Sequence, residues 1–128
     1  MRIHVTTTKT GAPWNLSLEQ FAQSLAEHWP DALIAVDADN AEPQVEFELT
    51  LGGQQAEGVY FTGDWQQLIC WDATIDDWAP VIEWFLGLLP LEADANTFLE
   101  AVARPQELPR LATAADIARI LTDLDNSV

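Results

Sequence analysis

Residues 44–71 read QVEFELTLGGQQAEGVYFTGDWQQLICW, and three strands follow from that one stretch. From Gln44 to Leu51 the side chains alternate, with Val45, Phe47, Leu49 and Leu51 on one side and Glu46, Glu48 and Thr50 on the other. That is the pattern of a strand with one face in a core and one in water. Gly52-Gly53 begins a reversal. Glu57–Thr62 and Trp65–Trp71 then read as two further strands joined by Gly63-Asp64, a two-residue link whose leading glycine suits a type II′ hairpin. In the last strand Trp65, Gln67, Ile69 and Trp71 share one face while Gln66, Leu68 and Cys70 share the other. Apolar groups on both sides predict a central strand.

Working outward, Arg2–Thr6 reads as a strand with Ile3 and Val5 inward, and Lys9–Asn15 as a loop punctuated by Gly11 and Pro13. Ser17 with Gln20 three residues on forms a capping box, flanked by Leu16 and Phe21 as a hydrophobic staple. The helix that follows carries Leu18, Phe21, Ala22, Leu25 and Trp29 on one face and stops at Pro30-Asp31. Leu33–Val36 is a short strand, and Asp37–Pro43 a polar turn.

Beyond residue 71, Ile75, Trp78, Ile82, Phe85 and Leu89 make the apolar stripe of a second helix that Pro90 ends. Thr74 and Asp77 both qualify as its cap. Asp77 is favoured because it leaves Pro80 in the first turn, where a missing N–H removes no bond. Asp94–Val102 reads as a short helix, or Thr97–Val102 as an edge strand, and Arg104–Pro109 as a linker with two prolines. Thr113 with Asp116 caps a last helix bearing Ile117, Ile120, Leu121 and Leu124. The order is strand, helix, four strands, then two or three helices. It predicts one α+β domain over residues 1–128, a mainly antiparallel sheet of four to five strands with helices packed on one face.

Charge is distributed unevenly along this pattern. Residues 10–103 contain no lysine or arginine but hold 17 of the 21 carboxylates; the net charge is −16 over 128 residues. The five cations, Arg2, Lys9, Arg104, Arg110 and Arg119, sit toward the two ends. With 48% apolar residues and six tryptophans the chain is nonetheless a folding sequence rather than a disordered acidic tail. Such a field disfavours nucleic acid and anionic lipid and predicts a basic or metallic electrostatic partner. No window approaches a membrane span, the N-terminal residues alternate like a strand rather than a signal peptide, and a cytoplasmic protein is expected. The acidity has two plainer readings: adaptation of a whole proteome to salt, and solubility of an aromatic-rich domain.

No motif for chemistry stands out. Asp37–Glu42 places oxygens close together but lacks the spacing and glycine of a calcium loop, so it reads as a solvated turn. His4 and His28 have no companions at metal-ligand spacing, and Cys70 lies mid-strand without a C-x-x-C partner. Ser17 is used as a cap, no G-x-S-x-G occurs, and the glycines compose no phosphate loop. No metal, cofactor or catalytic residue is assigned.

An acidic single domain of this length, with a four- or five-stranded sheet and Trp-rich hairpins, resembles the small bacterial immunity proteins that neutralise toxins. The resemblance implies an intracellular inhibitor whose carboxylates meet the basic groove of a nuclease or similar toxin. The reading that results is a non-enzymatic protein binding a basic protein partner. Its expected contact residues are Trp84, on the flank of the second helix near Asp77, the loop residue Trp14, Asp77 itself, and Glu46 and Glu48 on the wet strand face; the plainer readings are that Trp14 folds back as a lid on the core and that Trp84 packs under the C-terminal helix. Two alternatives stay open: an enzyme or ligand-binding domain with a pocket between the sheet and the Trp78–Leu89 helix, and a structural or homo-oligomeric domain with no soluble ligand.

Overall fold

A computed structural model describes residues 1–8, 12–63 and 66–127. These form β1 (Ile3–Thr7), α1 (Leu18–His28), β2 (Leu33–Asp37), β3 (Gln44–Leu51), β4 (Gln54–Thr62), β5 (Gln66–Trp71), α2 (Ile75–Leu86), β6 (Ala95–Leu99), β7 (Val102–Leu108) and α3 (Ala114–Asp125). Among the described residues the strands make one seven-stranded sheet, ordered β2-β3-β4-β5-β1-β6-β7. Every pairing is antiparallel. The α+β class and antiparallel sheet agree with the sequence reading; the strand count exceeds the expected four to five.

The alternating stretch forms a meander from β2 to β5. Leu51 pairs with Gln54 around Gly52 and Gly53, whose φ of +56° and +79° only glycine adopts freely. Two positive φ values in a two-residue loop define the hairpin turn whose twist matches that of its strands. In the next hairpin Thr62 pairs with Gln66. The type II′ reading involved Asp64, and the expected strand start was Trp65; both lie outside the described residues. β5 sits between β4 and β1, the central position that its two-sided apolar pattern predicted.

The extra strands come from the C-terminal third. Asp94–Val102 is not a helix: Ala95, Thr97 and Leu99 are buried while Asn96 and Phe98 are half-buried, a period of two. β1 joins this part of the sheet to the meander, Ile3 pairing with Cys70 on one side and Leu99 on the other. The expected linker Arg104–Pro109 is largely β7. It is an edge strand, and Pro105 falls in the register irregularity between the Thr97–Gln106 and Leu99–Val102 pairs, where it has no ladder partner.

Three capping boxes start the three helices. Ser17 Oγ accepts from Gln20 N at 3.1 Å while Gln20 Oε1 accepts from Ser17 N at 2.9 Å, and Thr113 with Asp116 repeats the arrangement for α3. The cap of α2 is Thr74, not Asp77. Asp77 fills the third helical position, its N donating to Thr74 Oγ1 at 3.1 Å and its carboxylate accepting from Thr74 N at 3.4 Å. Pro80 therefore lies inside the helix. The carbonyl it leaves unbonded belongs to Asp76, and both residues are exposed, so water replaces the lost donor.

The helices cover the sheet face made by Ile3, Val5, Val45, Phe47, Leu68 and Cys70. Trp14, Phe21, Tyr60, Trp78 and Phe85 fill the layer between and are fully buried. The Trp14 ring meets Phe85 edge-on at 5.2 Å, and Phe21 stacks on Tyr60 at 4.6 Å. Tyr60 Oη donates to the Leu16 carbonyl at 2.7 Å, tying the start of α1 to the sheet. Gly58 admits the Phe47 ring: a Cβ there would stand 2.3 Å from Phe47 Cζ.

Candidate functional site

Among the described residues no helix covers the opposite face of the sheet. Its composition follows from register. Leu33 and Ala35 of β2 stand beside Glu48 and Glu46 of β3; these stand beside Glu57 and Val59 of β4, which neighbour Trp71 and Ile69 of β5. Gln44, Phe61 and Gln67 make the adjoining row. The twisted surface encloses a shallow cavity of about 420 Å³ with Ala35, Val59, Phe61 and Trp71 in its lining and Glu46, Glu48 and Glu57 around them.

The electrostatics of this face are unfavourable in isolation. Glu48 lies directly across from Glu57, a like-charge cross-strand pair. Glu57 accepts a hydrogen bond from Trp71 Nε1 at 2.8 Å, and Glu46 accepts from Gln44 Nε2 at 2.8 Å. Neither donor carries charge. Among the described residues Arg2 approaches this face, its guanidinium 5.2 Å from the Trp71 ring centre and 3.8 Å from the Glu100 carboxylate. Trp71 therefore already shows how this surface receives a guanidinium. Beyond it His4 stacks on Phe98, centroids 4.5 Å apart, and burial holds its imidazole below the usual pKa against the pull of Glu100.

Comparison with family models, curated proteins and solved structures returned no match.

Of the residues expected to contact a partner, Glu46 and Glu48 share the uncovered face. The other three lie on the helix side. Trp14 is not exposed: its indole is fully buried, with Nε1 donating to the Asp94 carbonyl at 3.0 Å and its backbone N to Gln66 Oε1 at 2.8 Å. Asn15, at φ +52°, turns the chain sharply after it. Trp84 is half-buried on the flank of α2 as the helical wheel predicts, but its neighbours are aromatic: Trp29 at 4.9 Å, Phe21 at 5.9 Å and His28 at 6.0 Å. Asp77 is engaged by the α2 cap and its carboxylate fills the space beside Gly52.

The pocket expected between the sheet and the Trp78–Leu89 helix is occupied by the packed rings of Trp14, Tyr60 and Phe85. Glu57, Phe61 and Trp71 lie on the uncovered face as well, and no alternation signals it, since both sides of their strands carry apolar groups. What the sequence did not show is that β4 and β5 carry them alongside Glu46 and Glu48. The Asp37–Glu42 turn bonds to itself, Asn40 Nδ2 donating to Asp37 and Asn40 Oδ1 accepting from Glu42 N. Cys70 is fully buried and its thiol pKa is raised strongly by burial, the opposite of what a nucleophile needs. Among the described residues no three His, Cys, Asp or Glu side chains converge as a metal cage would require, and no helix is long and apolar enough to cross a membrane.

Proposed function

We propose that this is a non-enzymatic binding protein that engages a basic protein partner through the uncovered face of its sheet, in the manner of a toxin-immunity protein. The observation that carries the reading is the facing pair Glu48 and Glu57, with Glu46 beside them, over a floor of Phe61 and Trp71. Three carboxylates on one sheet face, with no cation among the residues that line the cavity, leave a field that favours positive charge. A lysine or arginine from a partner meets that field while the aromatics supply apolar contact area.

Capture from lysate of the source cell, on the immobilised wild-type chain and on the triple variant Glu46→Lys, Glu48→Lys, Glu57→Lys, tests this. A basic protein should be retained by the first and lost by the second, with association slowed about tenfold or more and most of its salt dependence gone. If the two surfaces retain the same proteins, or what separates them is acidic, the reading is wrong.

A further inference from the structure

The two edges of the sheet differ. At one end β7 carries Arg104 and Pro105 within the strand, the charge and missing donor that discourage pairing with another chain. At the other end β2, sequence LIAVD, pairs among the described residues only with β3 and contains neither a proline nor a basic residue. Leu33 is 61% exposed and Val36 46%, the exposed large apolar residues among the described strands. One row of backbone N–H and C=O groups on β2 thus faces outward from a strand rich in apolar and β-branched residues.

We propose that the β2 edge accepts an extended basic segment of the partner as an eighth strand. This rests on the proposed function and specifies how the same face is engaged. Charge decides between possible occupants. The edge is bracketed by Asp31, Asp37 and Asp39, and each copy of the chain carries −16, so pairing two β2 edges brings like charge onto like. A strand bearing lysine or arginine at alternate positions meets the opposite condition. Its outward side chains pass over Ala35, the smallest residue of the edge, toward Glu46 two strand spacings of about 4.8 Å inward, a distance that the four-carbon stem of lysine and the glutamate side chain close between them. Leu33 and Ala35 border both the edge and the acidic cavity, so main-chain pairing and charge recognition form one continuous surface. Main-chain bonds supply affinity in such additions and alternate side chains supply specificity.

The probe is an acetylated, amidated nonapeptide alternating lysine with valine, compared with the same peptide N-methylated at alternate residues along one edge, in both phases. Amide hydrogen exchange and chemical shifts are read over β2 and β3 at low salt. The expected result is protection of the outward β2 amides by the plain peptide and, for the peptide methylated on its pairing edge, binding weakened about thirtyfold, as loss of two main-chain hydrogen bonds implies. If both methylated peptides bind as well as the plain one, with shifts at Glu46, Glu48 and Glu57 but no protection of β2, strand addition is overturned while the acidic-face reading stands. If no peptide shifts that face, both fail. Concentration-dependent protection of β2 in the chain alone assigns the edge to a second copy and also overturns the proposal.

Discussion

Substituting Gly58 by alanine tests the packing of the sheet against the helices at one point. In a strand interior this exchange is ordinarily stabilising by roughly 0.4–1 kcal/mol, because alanine restricts the unfolded chain more than glycine does. Here the new Cβ would lie 2.3, 2.7 and 2.9 Å from Cζ, Cε2 and Cε1 of Phe47. The ring has little room to retreat, being 97% buried and placed 5.6 Å from Phe21 and 6.4 Å, edge-on, from Trp78. Overpacking of this kind costs about 1–3 kcal/mol. The net expectation is a loss of about 1–2 kcal/mol, or about 4–8 °C in melting temperature for a domain of this size. Urea denaturation of the single variant and of Gly58→Ala with Phe47→Leu gives the coupling: in the double variant the alanine should cost nothing or add stability. A Gly58→Ala protein as stable as the parent would refute the argument that Phe47 requires the glycine.

Four further outcomes are expected. Trp84→Ala should lower stability by about 2 kcal/mol, less than the roughly 3–5 kcal/mol of a fully buried tryptophan, since its aromatic neighbours lie on one side only; denaturation unchanged within error would mean those contacts contribute nothing. His4, whose pKa burial holds below 6.5, favours folding at pH values above 6.5 and loses that contribution as the pH falls through 6.5 toward the folded value. His4→Phe should therefore flatten the decline in melting temperature between about pH 7.5 and 5, and parallel profiles would contradict it. Raising NaCl from tens of millimolar toward molar should increase the melting temperature by screening a charge of −16, and insensitivity to salt would remove self-repulsion from the account. Cys70 should react with a thiol reagent at about pH 8 only as fast as the protein unfolds; rapid stoichiometric labelling of the native chain would show that it is accessible.

The meander was legible because alternation in Gln44–Leu51 and the paired glycines at 52 and 53 are local signals that tertiary structure has no reason to override. The capping boxes at Ser17 and Thr113 are local in the same way. Thr74 and Asp77 offer the same capping chemistry, and Pro80 favours Asp77 only if proline needs the first turn. Position in the helix mattered less than which side of it meets water. β6 and β7 were obscured for a different reason: the prolines of Arg104–Pro109 signal a linker unless the strand is known to be outermost, and that is a property of strand order. The binding face divides similarly. Glu46 and Glu48 could be placed on a wet face from their own strand, whereas joining Glu57 and Trp71 to them requires the register of β4 and β5.

The position of β1 also governs when the molecule can form. The strands β2 to β5 contact their sequence neighbours and can assemble as soon as they exist, but Val5 pairs with Leu68 on one side and Thr97 on the other. The first strand must therefore wait for segments far downstream, and the loop-closure entropy of both pairings falls on the same five residues. During synthesis Ile3 and Val5 remain without a neighbour until β5 emerges, and the other edge of β1 stays open until β6 follows. Folding speed should consequently be set by the docking of β1, with the meander already in place.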